Sequence, residues 1–265
     1  MESKSEQIQR NKKIHDRISA RYDQIHGEIF NDSEQARIRE TLRYLLKYFP
    51  GGPSSLRALD FGAGTGNLSR HMVSVGWPVL AVDVSEQSLN LLKRSLPCET
   101  LVLQDGSLQG IPTNGFDFVA TYSVLHHIPD YLAAIRELGR VCASGGIIYI
   151  DHEPTPMYWE RREEFKAIYR RISKPNITKY LYPRNYLGKA RRMFDKRYSN
   201  EGDIHVWPDD HVEWPLIDET LIELGFEKVF EQDFFLNKSI YKASATQTVS
   251  HQLQDTRCVA YQKKY

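Results

Sequence analysis

The sequence feature that most constrains the fold is a glycine-rich stretch between residues 58 and 69. It opens with an apolar segment typical of a buried strand, and a turn follows with glycine at every second position: Gly62, Gly64 and Gly66. A helix is predicted to begin at Asn67. Glycine has no Cβ, so its backbone adopts positive φ and a ligand can approach the main chain closely. A strand, a glycine turn and the free N–H groups of a helix start form the first half of a nucleotide-binding βαβ unit.

An acidic residue, Asp60, precedes this turn, and the glycine spacing is G-x-G-x-G rather than the G-x-G-x-x-G of dinucleotide-binding enzymes. A carboxylate here suits a cationic or amine-bearing ligand better than a pyrophosphate. The stretch resembles motif I of class I S-adenosylmethionine-dependent methyltransferases, of the type that acts on small molecules. The resemblance implies S-adenosylmethionine as cofactor, and the glycine spacing makes an NAD-dependent oxidoreductase the least favoured alternative.

The strands that follow also end at carboxylates. One apolar strand ends at Asp83, and an acidic side chain at this place in a βαβ unit can accept both ribose hydroxyls. The alternative is that Asp83 only caps the next helix. Val84 is expected to pack on the adenine. By resemblance, Asp105 at the end of the third strand accepts a hydrogen bond from the adenine amino group, and the N–H of Gly106 lies near the ring.

A tyrosine of the N-terminal segment completes the predicted cofactor site. The stretch 21–23 resembles the N-terminal helix of small-molecule methyltransferases, whose tyrosine often closes over the methionine end of the cofactor. The alternative for this tyrosine is plain packing. The cofactor-binding residues that the resemblance implies are Tyr22, Asp60, Gly62, Ala63, Gly64, Gly66, Asp83, Val84, Asp105, Gly106 and Thr121.

Polar residues at the ends of the fourth and fifth strands are the candidates for catalysis. The run 125–130 resembles that of methyltransferases acting on natural products, sugars and quinones, in some of which one histidine of the pair is the base. Histidine suits this role because its pKa lies near neutral. The predicted catalytic residues are His126, His127, Asp151 and His152. The alternative is that the histidine pair only caps or packs, since a carbon or unprotonated amine acceptor needs no base.

Strands and helices alternate between about residues 56 and 152, which predicts a parallel sheet whose carboxyl edge carries the site. The predicted fold class is α/β: a three-layer, doubly wound, mostly parallel seven-stranded sheet with an antiparallel last strand. A helical insertion is expected between the fifth strand and the last helix, with helices over residues 157–173 and 186–198. The predicted segments are N-terminal helices that close over the cofactor (1–50), the Rossmann-like cofactor-binding core (51–153), a basic, substrate-binding helical lid (154–213) and the rest of the core sheet (214–265). Residues 1–12 are expected to be frayed, with a helix over about 14–25.

The predicted lid is strongly basic. Between Thr155 and Asn200, thirteen arginines and lysines stand against four acidic residues, about +9, whereas the whole chain has a net charge of +1. Aromatic side chains interleave with these charges. Such a surface suits a phosphorylated or carboxylated substrate, RNA or an anionic membrane surface. The alternative is a solvated helix face that balances an acidic body.

Composition places the chain among soluble globular proteins, with 41% hydrophobic and 26% charged residues. Its three cysteines, none in a C-x-x-C pair, suit a reducing compartment and argue against a structural zinc. No apolar run approaches the roughly 18 residues of a membrane span, so a cytoplasmic protein is expected. A polar cluster over 205–213 lacks a second metal-binding element, and no metal is predicted.

The sequence therefore predicts a methyltransferase that moves a methyl group from S-adenosylmethionine to a small-molecule acceptor. Oxygen is the favoured acceptor atom, nitrogen and carbon are alternatives, and the basic segment favours an anionic acceptor. Two other functions stay open: an RNA-modifying methyltransferase that uses the basic segment, and a non-catalytic, cofactor-binding regulatory protein. DNA is not an expected partner. The Asn/Asp-Pro-Pro-aromatic tetrad of amino-methylating nucleic-acid enzymes is absent from the end of the fourth strand, where residues 121–124 read Thr-Tyr-Ser-Val.

Overall fold

The computed structural model describes residues 4–49, 51–52, 56–174, 212–238, 241–242, 249 and 252–265. The N-terminal segment forms the helices α1 (Lys4–Ile18), α2 (Tyr22–Ile25) and α3 (Asp32–Leu45). The expected fraying of residues 1–12 is wrong from Lys4 onward, because α1 packs on the body of the protein and buries Asn11. The single helix predicted over 14–25 is interrupted by a 3-10 turn at Ser19–Arg21.

Seven strands form one sheet. They are β1 (Ala58–Phe61), β2 (Val79–Asp83), β3 (Glu99–Val102), β4 (Phe116–Tyr122), β5 (Cys142–Pro154), β6 (Phe226–Phe234) and β7 (Thr256–Lys263). Their order is β3-β2-β1-β4-β5-β7-β6. The pairs among β1 to β5 are parallel, and β7 runs antiparallel to both β5 and β6. The predicted mostly parallel sheet with an antiparallel last strand is confirmed.

Helices cover both faces of this sheet. They are α3, α4 (Asn67–Ser74), α5 (Glu86–Ser95), α6 (Tyr131–Val141) and α9 (Trp214–Glu223). Two further helices, α7 (Pro156–Glu160) and α8 (Arg162–Ile172), follow β5. Because side chains alternate along a strand, neighbouring residues of β1 enter opposite cores. Leu59 packs with the apolar face of α6 and α9, and Ala58 packs with that of α3 and α4. The result is the predicted three-layer α/β architecture.

The strand order reverses between β1 and β4, since β1 continues toward β2 on one side while β4 continues toward β5 on the other. At such a switch point the loops at the carboxyl ends of the strands separate and leave a crevice. The helices behind these loops begin at polar caps: Ser85 accepts a hydrogen bond from the Ser88 N–H at the start of α5, and Asp130 accepts one from the Ala133 N–H at α6.

The insertion after β5 is described only in its first part. Residues 157–173, expected to be helical, form α7 and α8, and Phe165 and Ile172 of α8 pack in a separate apolar cluster with Phe235 and Leu253. The helix predicted over 186–198, most of the basic residues and nearly all of the polar cluster over 205–213 lie outside the described residues. The lid and the four predicted segment boundaries therefore stay predictions. No helix in the described part of the chain has the length and hydropathy needed to cross a bilayer.

Candidate functional site

A cavity of about 190 Å³ lies at the switch point between β1 and β4. Its walls come from the loops that follow β1, β2, β3 and β4, and from α1, which lies across them. The carboxyl edge of a doubly wound sheet is where such folds bind ligands. Of the residues predicted from the sequence, this cavity brings together Tyr22, Gly62, Gly64, Asp83, Val84, Asp105, Gly106 and His127.

The three glycines of the turn after β1 differ in what a side chain at each position would contact. All have positive φ, at 74° for Gly62, 52° for Gly64 and 92° for Gly66. A Cβ at Gly62 would collide with the side chain of Val124, and one at Gly66 would lie 2.7 Å from Leu92. A Cβ at Gly64 would meet nothing within 4 Å. Gly62 and Gly66 therefore allow close packing, whereas Gly64 leaves open backbone at the cavity wall.

Asp83 lines the cavity at the end of β2, and its carboxylate organises two turns. One oxygen accepts the Gly64 N–H at 2.8 Å and the other accepts the Ser85 N–H at 2.7 Å. Burial raises the pKa of Asp83, while these two N–H groups lower it. The cap of α5 is Ser85, as described above, so Asp83 keeps lone pairs that can accept hydroxyl groups of a ligand.

The end of the cavity near β3 is covered by the N-terminal helix. Asp105 and Gly106 form its floor, and a Cβ at Gly106 would lie 3.9 Å from Ile8 of α1 and from Val84. The hydroxyl of Ser85 donates a 2.6 Å hydrogen bond to Asp16 of α1. This contact fastens α1, one wall of the cavity, to the start of α5.

A second, smaller cavity of about 30 Å³ adjoins the glycine turn. Asp60 and Ala63 line it, and Tyr22 and Tyr122 line both cavities. The carboxylate of Asp60 is 1% exposed and accepts a 2.5 Å hydrogen bond from the hydroxyl of Ser69. Burial raises the pKa of Asp60 to about 7. A cationic group in the small cavity would favour the ionised carboxylate.

The two adjacent histidines of the 3-10 turn Leu125–His127 have different partners, although their rings lie only 4.1 Å apart. His127 lines the main cavity, and its ring lies edge-on to His15 of α1 with centroids 5.6 Å apart. His126 is buried, and its Nδ1 lies 2.9 Å from Oε2 of Glu153. The other oxygen of Glu153 accepts the backbone N–H groups of residues 124 and 125. Glu153 thus fixes the loop that presents His127.

Asp151 and His152, at the end of β5, belong to a buried polar cluster. Asp151 is fully buried, and both of its oxygens lie 2.9 Å from Nη2 of Arg37 on α3. The hydroxyl of Tyr149 also donates to Asp151. His152 has a positive φ of 61°, and its Nδ1 lies 2.8 Å from the hydroxyl of Tyr122. Asp151 is on neither cavity wall, whereas His152 contacts a residue that is on both.

Residues 59–150 match the family model described as "Methyltransferase domain". Residues 59–150 of the chain thus carry a methyltransferase domain. This confirms the resemblance drawn from the sequence, and class I methyltransferases use S-adenosylmethionine as cofactor. A demethylmenaquinone methyltransferase from Staphylococcus aureus (strain MRSA252) is 29% identical over 150 residues, which cover 54% of this chain and 58% of that protein. The chain therefore spans less than two thirds of this curated relative.

Solved structures share the fold of the methyltransferase domain. Magnesium protoporphyrin IX methyltransferase from Synechocystis PCC 6803 with bound SAM has a TM-score of 0.51 at 14% identity, covering 87% of this chain and 79% of the other. A SAM-dependent methyltransferase from Methanosarcina mazei has a TM-score of 0.55 at 16% identity, covering 83% of this chain and 97% of the other. At these identities the likeness establishes the fold.

Five of the predicted site residues line neither cavity but lie behind the cavity walls: Gly66, Thr121, His126, Asp151 and His152. Thr121 is fully buried. Sequence reasoning missed three wall residues of α1, namely Ile8, Asn11 and His15. Their spacing of three and four residues places them on one helical face, which was the available signal. It also missed Glu34 and Arg37 of α3, whose partners are distant in sequence.

Proposed function

We propose that this protein is an S-adenosylmethionine-dependent methyltransferase that acts on a small organic acceptor, with oxygen as the favoured acceptor atom. One observation carries the proposal. The cavity at the switch point joins the glycine turn and the carboxylates of Asp83 and Asp105 to the loop after β4, which presents His127. When bound, S-adenosylmethionine supplies an electrophilic methyl group on a sulfonium. The protein therefore has to bind the cofactor and the acceptor, orient them toward each other and accept a proton from the acceptor where it carries one.

The walls fit this cofactor. Asp83 is proposed to accept the ribose hydroxyls, because its carboxylate faces the cavity with both oxygens fixed by backbone N–H groups. Asp105 and Gly106 are assigned to the adenine, with Val84 and Ile8 packed against it. The open backbone at Gly64 and the buried carboxylate of Asp60 suit the amino-acid end, where the ligand carries positive charge.

A small, largely apolar acceptor is supported by the wall that surrounds His127. Val124, Ile128 and Pro129 line the cavity beside that histidine. The relatives are named for demethylmenaquinone and magnesium protoporphyrin IX, both small organic molecules. The preference for an anionic acceptor depends on basic residues that lie mostly outside the described part of the chain, and it stays a prediction.

If the acceptor atom carries a proton, a base has to remove it, and an imidazole suits this role. Two of the predicted histidines are our candidates for this base: His127 is on the cavity wall, and His152 contacts Tyr122 of that wall. His126 is held by buried Glu153, so we assign it to positioning of the loop rather than to proton transfer. Asp151 accepts hydrogen bonds from Arg37 and Tyr149, so we likewise assign it a structural role rather than proton transfer.

The test is calorimetric titration of the purified protein with S-adenosylmethionine and S-adenosylhomocysteine, with NAD as control. We expect both sulfur ligands to bind and NAD not to bind. Asp83→Ala should weaken binding ten- to hundredfold, roughly 1.4–2.8 kcal/mol. Asp117→Ala is the matched control, because that carboxylate also accepts a backbone N–H but does so at the start of β4, away from the cavity.

Unchanged affinity in Asp83→Ala would contradict the ribose assignment. If the wild-type protein binds neither sulfur ligand, the proposed function fails. A screen of small hydroxylated, aminated and quinonoid acceptors for S-adenosylhomocysteine release then tests turnover. Binding without release for any acceptor, including a bulk RNA sample, would favour the non-catalytic alternative, and release with RNA alone would favour the RNA-modifying one.

A further inference from the structure

A buried polar cluster joins helix α3 to the ends of β4 and β5 beside the cavity. At its centre, Arg37 forms two hydrogen bonds with Glu34, Nε to Oε2 at 2.9 Å and Nη2 to Oε1 at 2.6 Å. Oε1 of Glu34 also receives a 2.9 Å hydrogen bond from the hydroxyl of Tyr122. That hydroxyl oxygen lies 2.8 Å from Nδ1 of His152. Four side chains therefore form one chain of contacts that ends at an imidazole.

Glu34 can only accept hydrogen bonds in this cluster. Its side chain is 4% exposed, and although burial alone would raise its pKa, Arg37 and His152 hold that pKa at about 2. The carboxylate is therefore ionised at all pH values at which the protein would work. An ionised carboxylate has no proton to donate, so the hydrogen bond between Glu34 and Tyr122 uses the proton of the tyrosine.

Tyr122 has a single hydroxyl proton, and that proton is directed at Glu34. Burial and the nearby carboxylates raise the pKa of Tyr122 well above its usual value, so the side chain remains a neutral phenol. Its oxygen can then only accept from His152. A 2.8 Å contact between this oxygen and Nδ1 needs a hydrogen on Nδ1. The neutral imidazole accordingly carries its proton on Nδ1 and a lone pair on Nε2.

We infer that Glu34, acting through Tyr122, is a positioning residue that holds His152 as the Nδ1–H tautomer and leaves Nε2 as a proton acceptor behind the Tyr122 wall of the cavity. This inference rests on the proposed function. His152 packs on the Tyr122 ring at a centroid distance of 4.8 Å, and Tyr122 lines both cavities. Among the described residues, none forms a hydrogen bond to Nε2 of His152.

The proton transfer balances in one step. The acceptor hydroxyl gives its proton, through one water molecule, to Nε2 of His152 while its oxygen binds the methyl carbon, and the electron pair of the broken S–CH₃ bond stays on sulfur. The imidazolium that results is stabilised by the carboxylate of Glu34, whose Oε1 lies 3.7 Å from Nδ1. The side chain of His152 is 11% exposed, so the proton can then pass to water. The arrangement of carboxylate, intermediary and imidazole follows the logic of catalytic triads.

The test reads the tautomer directly, without turnover. The ring nitrogens of ¹⁵N-histidine-labelled protein are observed by NMR at mildly alkaline pH, and the signal of His152 is assigned from its loss in His152→Gln. We expect a protonated Nδ1 and an unprotonated Nε2 in the wild-type protein. Tyr122→Phe should shift His152 toward the Nε2–H form. Tyr149→Phe is the matched control, because that buried hydroxyl donates to Asp151 in the same cluster but does not touch His152.

A wild-type His152 with its proton on Nε2 would overturn the inference, whether or not any variant folds. An unchanged tautomer in folded Tyr122→Phe would overturn it as well. In the turnover assay, Tyr122→Phe should lower kcat roughly tenfold and His152→Gln roughly a hundredfold, the scale of general-base catalysis. If the wild-type protein shows the Nδ1–H tautomer but transfers no methyl group to any acceptor, the proposed function fails and the tautomer assignment stands.

Discussion

At the scale of single residues, the burial of Asp60 couples ligand binding to stability. Its carboxylate receives hydrogen bonds from Ser69, but it has no cationic partner among the described residues. Burial therefore raises its pKa from 3.8 to about 7. The ionised form is destabilising without a ligand, whereas a bound cation would make the same charge favourable. A buried carboxylate of this kind is typical of a binding site, where stability is given up for function.

Asp60→Asn should stabilise the ligand-free protein at neutral and higher pH. The folded wild-type protein binds a proton at Asp60 that the unfolded chain has released, so this residue lowers the free energy of unfolding as pH rises from 3.8 to about 7, by up to the order of 4 kcal/mol. Asparagine can still accept the Ser69 hydroxyl and does not ionise. Urea unfolding of both proteins across this range should show a difference that grows with pH, and a difference independent of pH would contradict the prediction.

The same substitution should weaken S-adenosylmethionine binding above pH 7, because it removes the negative charge from the small cavity. Calorimetry at high and low pH measures this. We expect the wild-type protein to bind more tightly as pH rises through the pKa of about 7, and Asp60→Asn to lack this part of the pH dependence. A variant that is more stable and binds equally well would show that Asp60 does not face the ligand.

The sequence predicted the position of a site residue correctly when that residue directly follows a strand of the parallel sheet. Asp83 and Asp105 follow parallel strands, and parallel strands bring their carboxyl ends to one edge. The roles of the two histidines could not be separated, because their rings lie 4.1 Å apart and nothing in the sequence says which one lines the cavity. Glu34 and Arg37 were missed because their partners, Tyr122 and Asp151, are 88 and 114 positions away along the chain.

At the scale of elements, α1 shows how a weak helix can build a site. Its sequence is polar and has little apolar surface, so the pattern predicted fraying. In the structure it is held by specific contacts, above all the hydrogen bond between Ser85 and Asp16, and one face of it closes the main cavity. The strands and core helices were predictable because their apolar runs are long and alternate regularly. The docking of α1 depends on tertiary contacts that no local pattern contains.

Asp16→Ala should loosen α1 without unfolding the sheet. The substitution removes one of the two acceptors near the buried Ser85 hydroxyl, which also lies 2.9 Å from the Ser88 hydroxyl, and costs about 1 kcal/mol. Hydrogen–deuterium exchange should become faster in residues 4–18 only, and cofactor affinity should fall a few fold because Ile8 and His15 are wall residues. Arg17→Ala, at an exposed position on the same helix, is the control. Equal exchange in both variants would mean that α1 is held by other contacts.

At the scale of the whole molecule, the Arg37 cluster connects parts of the chain that fold far apart in sequence. Arg37 lies on α3, and its guanidinium contacts Asp151 on β5, the sulfur of Cys258 on β7 at 3.4 Å and the ring of Phe234 on β6 at 4.1 Å. Two buried carboxylates, those of Glu34 and Asp151, depend on this one cation. The cluster therefore joins the N-terminal helices to the part of the sheet formed by β5, β6 and β7.

Arg37→Met should destabilise the protein by about 3–5 kcal/mol, because it leaves two buried carboxylates without their cation. Arg161→Met is a close control. Arg161, the residue before α8, pairs with Glu164 at the same i,i+3 spacing and with two hydrogen bonds, but both side chains are exposed, and such a pair contributes about 0–1 kcal/mol. Urea unfolding measures both free energies. Equal decreases in the free energy of unfolding would mean that the buried ion pairs of Arg37 stabilise the protein no more than the exposed pair of Arg161.

The pH dependence of the stability lost in Arg37→Met distinguishes the contribution of the Arg37 charge from that of its packing contacts. Arg37 keeps the pKa of Glu34 at about 2, and without it burial raises the pKa values of both carboxylates. The folded variant then binds protons that its unfolded chain does not, so its stability falls as pH rises. The loss relative to the wild-type protein should therefore be smallest in mild acid and grow toward neutral pH. A loss that is constant with pH would instead assign the role of Arg37 to its contacts with Phe234 and Cys258.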